Sequence, residues 1–177
     1  MKKGKRIANL TVSAVFCAVI CVTAQITVSS PFALPFTLQT FGVALCGYLL
    51  GVKRTLYSVG AYILLGIIGI PVFAGFGGGI QTLFGHSGGF IIGFLGLGIF
   101  CALANTTKSR VLKIIYSVSG LILCHISGVI WLAVISHTNI FASFLTASAP
   151  FILKDAVFVL LAFIVAKIIL KRTNVFK

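Results

Sequence analysis

Acid is what this sequence lacks. Among 177 residues there is one carboxylate side chain, Asp155, against fourteen lysines and arginines. Chemistry that needs two acids is thereby excluded: no general acid and base pair, no aspartyl dyad for intramembrane proteolysis, no carboxylate relay for protons. Charge of either sign is scarce, at 8% of residues, where soluble domains carry about 25%. So few charges cannot clothe a water-facing surface. Other absences narrow the chemistry further. There is no G-x-x-x-x-G-K-[ST] phosphate loop; the nearest stretch, GYLLGVKRT at 47–55, lacks both the spacing and the lysine–hydroxyl ending. There is no HExxH, no CxxC pair of metal-ligand spacing, and no G-x-S-x-G at a turn suited to a nucleophile elbow. No internal repeat at roughly 20–50 residues stands out, which leaves inverted-repeat transporter folds unsupported. The chain does not read as an enzyme, and it calls for no cofactor and no metal.

Apolar residues are what the chain has instead. They make up 59% of it, and mean hydropathy is +1.19. A bilayer core about 30 Å thick asks for roughly 20 apolar residues per helix. Six segments supply such runs, some of them short: 7–28, 34–50, 55–70, 89–104, 111–135 and 151–170. In lipid each is predicted to be a helix, because a helix satisfies its own backbone hydrogen bonds. Runs such as LLAFIVAKIIL do not alternate as barrel strands do. The expected fold is therefore all-α: one membrane domain over residues 1–177, a bundle of six transmembrane helices. The opening MKKGKR and the 7–28 run exceed a signal-peptide core of about 7–15 residues and read as a retained first helix. Five cysteines, Cys17, Cys21, Cys46, Cys101 and Cys124, all fall inside apolar runs and read as buried, reduced thiols.

The basic residues sort by position. Lys2, Lys3, Lys5 and Arg6 precede the first segment; Lys53 and Arg54 separate the second from the third; Lys108, Arg110 and Lys113 separate the fourth from the fifth; Lys167, Lys171, Arg172 and Lys177 close the chain. That places thirteen on one side and leaves Lys154 alone on the other. The positive-inside rule then puts both termini in the cytoplasm of a multi-pass cell-membrane protein. The net charge of +13 does not point to nucleic acid, since no soluble surface exists to carry a basic stripe; the lipid bilayer is the partner it implies. The opposite connectors, VSSPFALPFTLQT, IPVFAGFGGGIQTLFGHSGG and ISHTNIFASFLTASAP, are rich in Gly, Pro, Phe, Ser and Thr. Loops of that kind can fold back over a bundle where they line a cavity. The third, structureless at this level, is expected to act as a cap.

Two stretches carry chemistry. Asp155 lies in the first turns of the sixth segment, where a helix dipole favours a carboxylate. It reads either as a cap or partner of Lys154, or as a binding site, because ionisable groups within membrane segments are costly. As a site, Asp155 accepts from ligand N–H groups and Lys154 holds a carboxylate, so the pair would grip a ligand with a urea-like end and an acid end. AVFCA, 14–18, places Ala14 and Ala18 on one helix face, where small residues let another helix approach, inside this bundle or from a partner. Of the three histidines, His86, His125 and His137, the one within the fifth segment, His125, reads as a packed, hydrogen-bonded residue.

PFALPFTLQTFGVALCGYLLGVKR, LLGIIGIPVFAGFGGGIQTLFGHSGGFIIGF and APFILKDAVFVLLAFIVAK resemble the BioY family, the biotin-specific substrate-binding components of energy-coupling factor (ECF) vitamin transporters. The resemblance implies a six-helix bundle that binds biotin near its external face, under the first and third external loops. It implies docking on one transmembrane coupling subunit and two ATP-binding subunits, with Ala14 and Ala18 matching the A-x-x-x-A contact to the coupling subunit. The whole bundle would then tip over in the membrane to release substrate inward. It marks Gln39, His86, Ser87 and Phe90 as ligand contacts beside Asp155. Gln39 reads equally as an interhelical hydrogen-bonding residue, and Trp131 as ring cover or interface anchor. One position departs: the family's P-F-x-x-x-D-x-x-K has Phe158 where the lysine stands, and Lys154, one turn earlier, is the cation in reach. A shifted cation would also suit a related acid such as dethiobiotin or lipoate. A scaffold that moves nothing, and a channel, are the readings from other classes.

Overall fold

The computed structural model describes residues 2–32 and 34–172; Met1, Ala33 and residues 173–177, with the Lys177 of the charge count, lie outside the described residues. Eight α-helices carry most of it: α1 Lys2–Gln25, α2 Gln39–Leu50, α3 Val52–Ile67, α4 Ile80–Leu83, α5 Gly88–Thr106, α6 Arg110–Ile135, α7 Ile140–Ala147 and α8 Ala149–Arg172. The six long ones coincide with the six apolar segments. Their ends differ where local chemistry competes. The first helix stops at Gln25 and the second starts at Gln39, because Ile26–Thr27–Val28 is β-branched and Pro31 and Pro35 disfavour helix between them. There Thr27–Val28 (β1) pairs antiparallel with Phe36–Thr37 (β2), Thr27 opposite Thr37. An all-helical chain thus carries a small ribbon over one end.

Helices α2 and α3 follow each other with one residue between them. That residue, Gly51, has φ 74°, a conformation cheap only without a Cβ, and the Thr55 hydroxyl caps its carbonyl at 2.8 Å. The third connector is not structureless: it holds α7, whose start is capped by Asn139 accepting from the Ala142 amide at 2.6 Å. The second connector holds a 3-10 turn at Ala74–Phe76 and the single-turn α4.

Helix α2 sits inside, packed on α1, α5 and α8, while α5 and α6 form the most extensive pair. A Cβ at Gly93 of α5 would stand 2.9 Å from the Cα of Cys124 on α6, so small residues set this close approach. Tyr48, Tyr62, Phe73, Ile20 and Leu97 fill the core. Four cysteines are buried as expected, but Cys21 is only half-buried. On the outside, α6 exposes Ile114, Val118, Ile122, Ile126 and Ile130, a stripe at helical spacing that water would penalise and lipid would not. By length and composition Arg6–Gln25, Gly88–Thr106 and Arg110–Ile135 are long and apolar enough to cross a membrane.

Candidate functional site

Helix α8 begins in the segment SAPF, with Pro150 in its first turn, where a missing N–H costs nothing. One turn on, Lys154 and Asp155 emerge toward the ribbon and α6. Asp155 is 7% exposed, although a buried carboxylate is costly unless its oxygens are met. Its Oδ2 lies 3.5 Å from Nε2 of His125. The Nδ1 of that ring is 2.8 Å from the Ser148 hydroxyl. The consistent assignment has Ser148 donating to Nδ1 and the Nε2–H turned toward the carboxylate. His125 is therefore packed and hydrogen-bonded, as read from its helix, and it is also the hand that orients Asp155.

The other oxygen is different. Lys154 Nζ stands 2.7 Å from Oδ1, yet Oδ1 has no well-aligned hydrogen bond among the described residues. At that distance the ammonium and the carboxylate form a charged pair. Lys154 also donates to the Thr37 carbonyl at 3.1 Å, and its ammonium lies 5.2, 5.6 and 6.0 Å from the ring centres of Phe158, Phe151 and Phe36. These rings hold a cation by its attraction to their faces. Lys154 thus reaches Phe158, the position where the family pattern has its lysine.

Asp155, Lys154, Gln39, Ser87 and Phe90 line one cavity, together with Thr37, Thr40, His125 and the apolar side chains Ile91, Phe94, Leu121 and Phe151. All three connectors contribute: Leu34 and Pro35 from the first, Ala74 and Ser87 from the second, Ala147 at the end of α7. Its free space is about 60 Å³, well below the roughly 300–1,000 Å³ of a ligand-filled pocket, so the cavity must widen to take a ligand. Gln39 faces the cavity with its amide already engaged, donating to the Tyr62 hydroxyl at 2.6 Å and accepting from Thr37 at 3.0 Å. It is the interhelical hydrogen-bonding residue and a wall residue at once. His86 is not in the site: it is exposed and does not line the cavity. Trp131 is not a ring cover either. Its indole N–H holds the Gly85 carbonyl at 3.0 Å and its ring packs on Phe84, fixing the second connector from α6.

That connector is pinned twice more. Gln25, at the end of α1, donates to the carbonyls of Val72 and Phe73, both at 3.2 Å, and accepts from the Phe76 amide at 2.9 Å. Phe73 is 1% exposed and plugs edge-on against Tyr62 at 5.4 Å. Sequence reasoning did not single out Gln25, Thr40, Ser148, Phe36 or Phe151. Only Gln25 gave a signal, as an amide inside a membrane segment.

Two arrangements look hydrolytic and are not. Residues 85–89, G-H-S-G-G, spell G-x-S-x-G at the turn into α5. The turn follows the single-turn α4 rather than a strand, and His86 is exposed, so no nucleophile elbow is built. Ser148, His125 and Asp155 stand in line, but Ser148 is fully buried and does not reach the cavity. No substrate carbonyl can approach that hydroxyl.

On α1 the buried face is Ser13, Phe16, Cys17, Ile20 and Ala24. Ala14 and Ala18 are exposed on another face. The A-x-x-x-A pair therefore does not serve packing inside this chain.

Comparison with known proteins gives the family and the fold. A family model described as the BioY family matches residues 1–174. A probable biotin transporter BioY from Pyrococcus horikoshii is 40% identical over 159 residues, covering 90% of this chain and 94% of that protein. The biotin transporter BioY of Thermotoga maritima is 36% identical over 160 residues, with 89% and 93% covered. A crystal structure of the S-component for biotin from an ECF-type ABC transporter superimposes with a TM-score of 0.84 at 28% identity, covering 99% of this chain and 97% of that one.

Proposed function

The chain belongs to the BioY family, and from that premise we propose that it is the biotin-binding membrane component of an ECF-type uptake transporter. The observation that carries the reading is the single carboxylate, 7% exposed, paired with Lys154 at 2.7 Å in a cavity walled by aromatic and aliphatic side chains. Asp155 and Lys154 stand 2.7 Å apart, too close to take opposite ends of an extended ligand. They act on one end instead. A ureido group offers N–H donors beside a carbonyl acceptor, so Asp155 accepts from the N–H and Lys154 donates to the C=O. His125 keeps the carboxylate facing inward, and Phe90, Phe94 and Phe151 enclose the ring and tail. The ligand carboxylate then lies toward the mouth, near Ser87 and the first connector.

The six long helices cross the plasma membrane with both termini in the cytoplasm. Supporting this, the Ser13 hydroxyl donates to the Arg54 carbonyl at 3.2 Å, so the basic start of α3 lies beside the middle of α1. The ligand cavity opens on the side opposite the termini. Ala14 and Ala18 meet a transmembrane coupling subunit, and ATP is hydrolysed by two partner subunits rather than by this chain, which has no nucleotide site of its own.

Competition decides the substrate. Purified protein in mild detergent is loaded with labelled biotin and challenged with biotin, dethiobiotin and lipoate. Displacement by biotin at the lowest concentration is expected, with dethiobiotin next because it keeps the ureido group. Preference for lipoate, which has no ureido group, would overturn the assigned end of the ligand; no saturable binding of any of them by monodisperse protein would favour a scaffold.

A further inference from the structure

A second cavity lies at the basic end, between α6 and α8, and nothing in biotin binding uses it. Its free space is about 570 Å³, nearly ten times that of the ligand cavity by the same measure. Four cations stand around it: Lys108 in the connector before α6, Arg110 and Lys113 at the start of α6, and Lys167 across the gap on α8. Its floor is apolar, formed by Val118, Leu121, Val159, Leu160 and Phe163. Asp155 is the sequence's only acidic side chain and belongs to the other cavity, so no carboxylate side chain neutralises the four. The neutral polar groups at the rim are engaged with one another: the Tyr48 hydroxyl with Ser117 at 2.6 Å, and the Asn105 amide with the Tyr48 carbonyl at 2.8 Å.

The positive-inside rule explains the sign of these residues but not their convergence. Lys53 and Arg54 share the same end of the bundle and do not line the cavity. Convergence of cations above an apolar floor selects an amphiphilic anion. The route into the cavity selects its source. Helices α6 and α8 touch little along their length, and the flanking Ile114, Val118 and Leu160 are 64%, 47% and 58% exposed. The opening therefore faces sideways, toward acyl chains. We propose that this cavity holds an anionic phospholipid, its phosphate among Lys108, Arg110, Lys113 and Lys167 and one acyl chain between α6 and α8. Lys113, whose ammonium lies 5.9 Å from the Phe163 ring centre, sits where headgroup and chain meet.

Native mass spectrometry of the full chain tests this. Protein in mild detergent is mixed with phosphatidylglycerol or phosphatidylcholine, and adducts surviving gas-phase activation are counted for wild type and Lys113→Gln/Lys167→Gln. Expected are one retained phosphatidylglycerol per chain, weaker phosphatidylcholine, and a loss of about fivefold in phosphatidylglycerol affinity per cation removed. Equal retention of both lipids by wild type, or undiminished phosphatidylglycerol on a monodisperse double variant, overturns the site. Glycerol phosphate without acyl chains is the third arm; retention equal to that of the lipid overturns the assignment to the membrane. Should the double variant not elute as one species, Val118→Trp fills the floor from a lipid-exposed position, and undiminished phosphatidylglycerol on it overturns the proposal equally.

Discussion

The two cavities lie at opposite ends of the same pair of helices, with Leu121 in the wall of both. One is small, about 60 Å³, and pairs one anion with one cation beneath three connectors. The other is large, about 570 Å³, and gathers cations with no carboxylate side chain of its own. The difference shows how so poorly charged a chain uses charge. Where a small polar ligand must be released again, the charges are matched and the acceptor is oriented by a hydrogen-bonded histidine. Where a permanent component of the bilayer sits, unmatched charge is affordable because the lipid completes it.

The comparison is sharpened by a substitution in neither cavity, and this carries the largest expected effect. Ala18→Trp places an indole on the exposed small-residue face of α1. Vitamin uptake in cells that supply the partner subunits should fall to background, while purified protein binds biotin as wild type and keeps its lipid. Loss of biotin binding in the purified variant would show that the face serves this chain's own packing. Next comes Lys154→Ala, expected to weaken biotin about tenfold through loss of a charged hydrogen bond, against no change for Lys113→Ala. Equal, negligible losses from both would break the distinction between the cavities. The smallest effect is expected from Trp131→Phe. It removes the bond to the Gly85 carbonyl and lowers stability by about 1 kcal/mol, seen in thermal unfolding, with biotin affinity changed less than by Lys154→Ala.

Legibility in the sequence followed the range of the forces involved. The six long helices were readable because each is dictated by its own run of apolar residues. The ribbon of Thr27–Val28 with Phe36–Thr37 was not, because two-residue strands leave no periodicity and depend on where Pro31 and Pro35 turn the chain. Helix α7 escaped notice because its eight residues look like a loop until Asn139 is seen to cap them. At the site, Asp155 announced itself by being alone, and Lys154 by being misplaced on the uncharged side. His125 and Ser148 are 23 residues apart, and only the crossing of α6 with the start of α8 makes them a relay toward the carboxylate. His86 stands apart for the converse reason: it neighbours Ser87 in sequence, but the turn into α5 leaves it outside the cavity that Ser87 lines.

The central claim is that the lone carboxylate is a ligand acceptor rather than a structural charge. Equilibrium titration of biotin into purified wild type and Asp155→Asn, at equal monodispersity, tests it directly. The substitution keeps the volume, removes the charge and replaces one acceptor with a donor that opposes a ligand N–H. Biotin affinity should fall about 10- to 100-fold while thermal unfolding shifts little. Unchanged affinity in a well-folded Asp155→Asn would contradict the account and leave Asp155 as no more than the partner of Lys154.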